Sequence, residues 1–541
     1  MSAPANSGQR LLAALVLAAA IPFTLNLGVS SIWDANEAFY AQTPREMMQA
    51  ADYVIPSFNF QLRVNKPILS YWNVAASYHL FGISEWSERV PIALGALVIV
   101  ATAFGLGRLA GGTTAGLMSA LVLVTSPRLL LLARRIIIDV HITMWMGLIL
   151  LCFALSEARP QHRRRYLLLM YIAAGFGVLT KGPVAVFLPA VVFFVYLASQ
   201  QRLRDLGRMM LPTGAVLSLS IVIPWYYLLY REYGWEYIGA FIFGENLGRF
   251  TETVGEQSRN ALFYLPVMLA DLFPWSLLIP VALWWAVRER FQDRVVRLLV
   301  IWVVAIVAFF SMSSTKEDLY ILPIIVAEAA LIGAMLSAAI EGARHTRAIG
   351  WALSATGVLL LVGGGGVLWF FSQRYSLHGT MFIAACAIGG GAMSVLMGAR
   401  SRIREGIAAI ALSLALVGWA IVLVALPDFE RYKPVKPFAD IIRARASVGA
   451  IVGTYQSGLP SMVYYLNRPI MDVISADHLR AVFHSSSDIY FVMPESEYAS
   501  VKDRLPVPTY VLARRELFDL RPMNFVQGSE LRRLVLVSNR E

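Results

Sequence analysis

The chain has 541 residues, of which 57% are apolar and only 15% charged, with a mean hydropathy of +0.61 and a net charge of +11. An ordinary soluble domain carries roughly a quarter of its residues as charges, so this balance excludes intrinsic disorder and argues against a string of soluble domains. The basic excess sits in short clusters between apolar runs, the pattern of membrane-protein loops, so no nucleic-acid partner is expected.

Thirteen apolar segments follow one another, at 11–27, 89–109, 113–130, 136–156, 166–180, 183–200, 210–230, 262–286, 297–312, 319–339, 348–370, 380–398 and 406–426. Runs of about 20 apolar residues suit a helix crossing a bilayer; 113–130 and 166–180 are short for one. Arginine clusters fall between them: Arg159 with Arg163 to Arg165, Arg202 with Arg204 and Arg208, Arg288 with Arg290, Arg294 and Arg297, Arg344 with Arg347, and Arg400 with Arg402 and Arg404. If every segment spans, all these clusters share one side, which is expected to be cytoplasmic. Loops 28–88 and 231–261 and the C-terminal tail then share the other side. Arg10 followed by an apolar stretch and Ala18 to Ala20 fits a signal peptide, but a retained first helix is the preferred reading. Cys152 and Cys386 lie inside apolar runs and make neither a disulfide framework nor a CxxC site.

After Pro427 the composition changes. Residues 428–541 carry many charges and short β-type runs at Ile451–Tyr455, Met462–Leu466, Ile489–Met493 and Leu534–Val537, with helical stretches around 435–446 and 496–504. The expected fold is mainly α: a polytopic helical bundle of residues 1–427, followed by a small extracytoplasmic α/β domain of residues 428–541. No GxGxxG opens a helix there, and Gly363 to Gly366 lie in an apolar helix, where close helix packing explains them.

Loop 28–88 is the chemically informative stretch. It holds Trp33, Asp34, Asn36, Glu37 and Tyr40, then Arg45-Glu46-Met47, then Asn65-Lys66-Pro67 with Tyr71 and Trp72, and it ends at Arg89-Val90-Pro91. Acidic groups directly after a membrane helix, with a lysine and aromatic residues at the same depth, suit a site where a lipid phosphate meets a cation and a carboxylate handles a hydroxyl.

The loop resembles the first external loop of the GT-C membrane glycosyltransferases of the protein O-mannosyltransferase and aminoarabinose (lipid A) transferase superfamily. The matching positions are Glu37, Tyr40, Ala41, Arg45, Glu46, Met47, Pro56, Lys66, Pro67, Leu69, Tyr71, Trp72, Phe81, Gly82, Arg89 and Pro91. Ala133-Arg134 with Asp139, Thr180-Lys181-Gly182-Pro183, Pro224-Trp225-Tyr226, Arg249-Phe250, Phe273-Pro274-Trp275 and Lys316 with Tyr320 to Pro323 extend it over roughly residues 10–430. The resemblance implies sugar transfer from a polyprenyl-phosphate donor to a lipid A-like glycolipid, a glycan or a protein, at the outer face of the inner membrane and normally with inversion. It implies a catalytic carboxylate among Glu37, Asp34 and Asp139, and substrate contacts from Lys66, Tyr40, Arg45, Arg134, Lys181, Arg249, Lys316 and Tyr71.

Two departures matter. The family's catalytic Asp aligns with Asn36, and an amide is no general base. The acid before the family's Lys is Asn65, and residues 251–265 contain no His, so no cofactor is certain and a divalent metal site like that of some relatives is possible but doubtful. Each residue also has a plainer reading: Asp34 as a cap or partner of Arg45, Asp139 as a partner of Arg134 or Arg135, Lys66 as an interface lysine, His141 as a satisfied helix residue, and Asp271 and Glu328 as helix locks. The competing functions are a transporter or flippase of a lipid-linked sugar, and a catalytically silent relative.

Overall fold

The computed structural model describes residues 7–63, 65–251, 259–342, 346–373, 375–518 and 532–541. All thirteen apolar stretches lie on helical segments. Among the described residues nine helices are long and apolar enough to cross a membrane, or ten if one bent pair is a single span. The protein is thus a multi-pass helical bundle.

Two segments depart from simple spans. The helical run Glu85–Val124 is a hairpin that reverses at Gly111 and Gly112, the latter at φ +81°. Its arms pack closely at glycines: a Cβ at Gly107 would lie 2.1 Å from Ser119 Oγ and 2.9 Å from the Ala115 carbonyl, and one at Gly116 2.7 Å from that of Phe104. Only glycine permits this backbone turn and approach. Segment 262–286, expected as one span, is instead Ala261–Asp271 and Trp275–Glu289 bent by 115°. Pro274 lacks an amide proton and disfavours helix at Phe273, so the helix breaks there.

The ends of the bundle differ in chemistry. At one end the basic loops tie together: Arg202 Nη1 lies 2.6 Å from Glu157, Arg297 donates to the Ser199 carbonyl at 3.5 Å, and Arg404 to that of Ile340 at 3.2 Å. At the other end residues 30–84 form the helices Asn36–Ala50 and Leu69–Phe81 and a two-stranded hairpin, Ser57–Phe58 with Gln61–Leu62.

The C-terminal residues build a five-stranded sheet over that second end. The order is Met471–Val473, Ile451–Tyr455, Ile489–Pro494, Arg533–Ser538 and Tyr510–Glu516, the first three parallel and the last two antiparallel. Strands at Ile451–Tyr455, Ile489–Pro494 and Arg533–Ser538 match the expected runs. Met462–Leu466 does not: residues Ser461–Leu466 are helix, starting behind Pro460 and ending on left-handed Asn467. Met462, Val463, Tyr464 and Tyr465 are all buried rather than alternating, and tertiary packing overrides their strand preference. One face of the sheet has its own core, with Tyr455, Val473, Phe483, Phe491, Val535 and Val537. The other packs into the bundle, so Phe438, Ile442, Met462 and Tyr464 share one buried cluster with Ala38, Tyr40 and Met47.

Helices Thr346–Gln373 and Thr380–Ala399 touch through glycines, with a Cβ at Gly391 falling 2.6 Å from the Gly357 carbonyl. Gly391→Val is expected to push the two apart, at a cost of about 1–3 kcal/mol, read as a lower Tm in detergent.

Candidate active site

The site is framed by one buried ion pair. Glu37 enters in the first turn of Asn36–Ala50, and Arg89 comes from the first turns of Glu85–Val124; both are fully buried. Arg89 Nε donates to Glu37 Oε1 at 2.8 Å and Nη2 to Oε2 at 3.1 Å. Glu37 also accepts the Trp33 amide at 2.8 Å and the Ile136 amide at 3.3 Å. Arg89 spends its other donors on the carbonyls of Leu27, Ser30 and Ser31. Burial alone would raise the Glu37 carboxyl, but the Arg89 guanidinium outweighs it and holds the group below its ordinary value. A carboxylate already accepting four bonds is a poor proton acceptor for anything else. Its geometry is that of an anchor fixing the loop at three places.

Asp34 stands differently. As a residue it is exposed, but its carboxyl turns inward to Ser461. Oδ1 accepts the Ser461 amide at 2.7 Å and Oδ2 the Ser461 hydroxyl at 2.6 Å. Burial of much of the group raises it from 3.8 to about 6, against the lowering effect of the Ser461 bonds and the Lys433 charge. Trp33 beside it lies between two cations: the Arg135 guanidinium is 4.0 Å from the ring and the Lys433 ammonium 3.9 Å. Lys433 donates to Ser30 Oγ at 2.8 Å and to the Ser31 carbonyl, and burial pushes it down to about 7. The Arg135 side chain donates to no acceptor among the described residues, and it borders a cavity of about 390 Å³ whose walls include Arg128, Leu131, Leu132, Ala270 and Phe273.

A second group forms where the 163–181 helix ends. Gly182, at φ +96°, stops Arg163–Lys181 and leaves Lys181 in its last turn. Lys181 Nζ pairs with Asp139 Oδ1 and lies 5.2 Å from the Tyr320 ring centroid. Asp139 is therefore partnered by Lys181 rather than by Arg134 or Arg135, and three motifs far apart in sequence meet. Lys66 is half-buried in the turn before Leu69–Phe81. Tyr40 and Tyr71 stack at 5.5 Å, both buried.

Other expected contacts are spent elsewhere. Arg45 donates to the Tyr464 carbonyl at 2.9 Å. Arg134 caps the turn after the first helix through the carbonyls of Pro22, Leu25 and Asn26. Lys316 Nζ turns back to the Ser313 carbonyl at 2.5 Å. The Arg249 side chain lies outside the described residues. His141 Nε2 meets the Pro91 carbonyl at 3.3 Å, and Asp271 pairs with Arg128 at 2.9 Å. Among the described residues no three His, Cys, Asp or Glu side chains converge as metal ligands, and Asn65 is exposed and carries no charge. The described residues do not fit a divalent metal.

Sequence reasoning missed Ser461, Lys433 and the Trp33–Arg135 stack. A serine between Pro460 and Met462 carries no motif, and nothing in the spacing of 34 and 461 connects them. Arg89 was visible as part of the R-x-P element, but not as the partner of Glu37. Arg89→Met would leave Glu37 buried without its cation, a loss of about 3–5 kcal/mol; poor recovery of folded protein or a much lower Tm is the expected outcome.

The sequence profile of the dolichyl-phosphate-mannose-protein mannosyltransferase family matches residues 65–228. An undecaprenyl phosphate-alpha-4-amino-4-deoxy-L-arabinose arabinosyl transferase of Pseudomonas fluorescens is 31% identical over 59% of this chain and 56% of its own length. Its counterpart in Pseudomonas aeruginosa is 30% identical over 59% of this chain and 58% of its own length. The matched region thus spans a little over half of these curated relatives. The crystal structure of ArnT from Cupriavidus metallidurans bound to undecaprenyl phosphate superposes with a TM-score of 0.79 at 24% identity, covering 99% of this chain and 98% of that one. Its apo form gives 0.80 at 22% identity, with the same coverages. The bundle with its C-terminal sheet is the fold of those structures.

Proposed function

We propose that this chain, a relative of the GT-C membrane glycosyltransferases of the protein O-mannosyltransferase and aminoarabinose transferase superfamily, moves a sugar from a polyprenyl-phosphate donor to an envelope acceptor, a lipid A-like glycolipid, a glycan or a protein. The observation that carries the mechanism is the contrast between the two carboxylates of the first loop. Glu37 is saturated by Arg89 and two amides, whereas Asp34, an exposed residue, accepts among the described residues only from Ser461, and burial raises its carboxyl to about 6. Asp34 is the general base: it takes the proton of the acceptor hydroxyl as the oxygen attacks the anomeric carbon with inversion. The bond to the carrier phosphate breaks as the new glycosidic bond forms. The departing phosphate is met by Lys181, held in place by Asp139, with Tyr320 and the half-buried Lys66 as further contacts. Preorganised cations at the point of charge development supply much of such catalysis. Tyr40 and Tyr71 wall the donor side, and the cavity beside Arg135 admits the acceptor.

The topology that fits this chemistry has thirteen spans, with the basic loops in the cytoplasm. Loops 28–88 and 231–261 and the domain of residues 428–541 face outward. It is supported by the sorting of arginine clusters to one end of the bundle and of the first loop and sheet to the other.

The test is single-turnover transfer from a synthetic undecaprenyl-phosphate sugar in detergent. Asp34→Asn is expected to lower the rate by about 10²–10⁴-fold while the protein still folds. A base must be ionised to act, so wild-type activity falls as pH drops through about 6. A donor that remains intact with every acceptor tried speaks for transport or a silent relative. Lys181→Ala, which removes the phosphate cation, is expected to slow transfer at saturating donor and to leave Asp139 without its partner.

A further inference from the structure

The base proposed above does not stand on its own loop. Ser461, fully buried, reaches Asp34 from 427 residues downstream, with its amide on one oxygen at 2.7 Å and its hydroxyl on the other at 2.6 Å. Among the described residues no other donor is bonded to that carboxylate. Capture at both oxygens stops rotation about the Cβ–Cγ bond and aims the remaining lone pairs in one direction.

Ser461 owes its position to contacts that do not involve Asp34. It opens the Ser461–Leu466 helix immediately after Pro460, at the end of the loop that leaves strand Ile451–Tyr455. That strand is flanked in parallel by Met471–Val473 and Ile489–Pro494. The loop therefore leaves the carboxyl edge of the parallel strands, the edge where open α/β sheets place their ligands. The short helix is pinned by the Tyr465 hydroxyl, which receives the Ile32 amide at 2.7 Å and donates to Glu85 at 3.2 Å. Arg45 holds the Tyr464 carbonyl, and Asn59 exchanges two bonds with Ile470 at 2.8 Å. A serine fixed by so many independent contacts orients the carboxylate, rather than the reverse.

We propose that Ser461 is a positioning residue for sugar transfer, its amide and hydroxyl fixing the Asp34 carboxylate in the orientation from which it accepts the acceptor's proton. This rests on the reading of Asp34 as the base. The proton passes from the acceptor hydroxyl to Asp34, and Ser461 keeps its own throughout. The C-terminal sheet is then part of the reaction machinery, not a cover over it. The other charges facing Asp34 are Lys433 and Glu37, the latter neutralised by Arg89.

The experiment uses the full chain in detergent and synthetic undecaprenyl phosphate-linked 4-amino-4-deoxy-L-arabinose as the probe donor. Hydrogen bonds to the ionised form favour it, so Ser461→Ala is expected to move the acid limb of the rate profile upward by about one pH unit, a tenfold change in the ionised fraction on that limb. Ser461→Thr, which keeps the hydroxyl, restores the wild-type limb. Infrared pH-difference spectra give a reading independent of substrate: the protonated-carboxyl band that Asp34→Asn removes should shift its midpoint upward in Ser461→Ala. Ser461→Cys keeps the volume, weakens the donor and gives the same readout if the alanine variant is not recovered. A profile and band midpoint coinciding with wild type, whatever the absolute rate, overturn the proposal. Full activity of Asp34→Asn would instead remove the base reading itself, an outcome distinct from an unmoved limb in Ser461→Ala beside an inactive Asp34→Asn.

Discussion

The buried pair of Glu37 and Arg89 is the constraint from which the outer end of this protein is organised. A guanidinium and a carboxylate with almost no solvent contact are tolerable only when all their hydrogen-bonding capacity is met. Here that requirement is satisfied by backbone drawn from three places: the turn at Leu27 to Ser31, the Trp33 amide and the Ile136 amide. The cost of leaving either charge unmatched therefore holds the first helix's exit, the start of the Asn36–Ala50 helix and the approach to Asp139 in one arrangement. Arg134 repeats the device by closing the carbonyls of the neighbouring turn.

That frame divides two carboxylates three residues apart. Glu37 faces inward and is consumed by structure. Asp34 faces the rim, where burial raises its carboxyl against the Ser461 bonds and the Lys433 charge. Trp33, next to Asp34 in sequence, is held by Arg135 and Lys433 at its ring. A family pattern in which an Asp precedes Glu is replaced here by Asn36, and the acid that remains near the position is two residues earlier. The fold leaves that acid an exposed residue whose carboxyl is raised to about 6.

The second cluster shows why the site draws on so much of the chain. Asp139 stands in the first turn of its helix, Lys181 in the last turn of the next, and Tyr320 in the turn before another. Helix ends of alternating direction meet at one face of the bundle, so chemistry-bearing residues separated by up to 181 positions are brought together. The C-terminal sheet closes the same face, with Lys436 on Glu85 and Ser461 on Asp34 as its ties.

Much of this was legible in the residues. Apolar length, composition and the placement of arginines dictated a multi-pass helical bundle, because a bilayer leaves few other ways to satisfy a backbone. The dense motif in the first loop carried the resemblance to a glycosyltransferase superfamily, and the β-branched runs at 451–455, 489–493 and 534–537 pointed to strands. What the residues alone did not decide is partnership. Which partners Glu37 and Asp34 each take, whether Asp139 meets Arg134 or Lys181, and that Met462–Leu466 is helix all depend on what packs against them. These were settled by tertiary contact, since a carboxylate's basicity is set by the donors and charges within a few ångströms, and sequence distance carries no record of them.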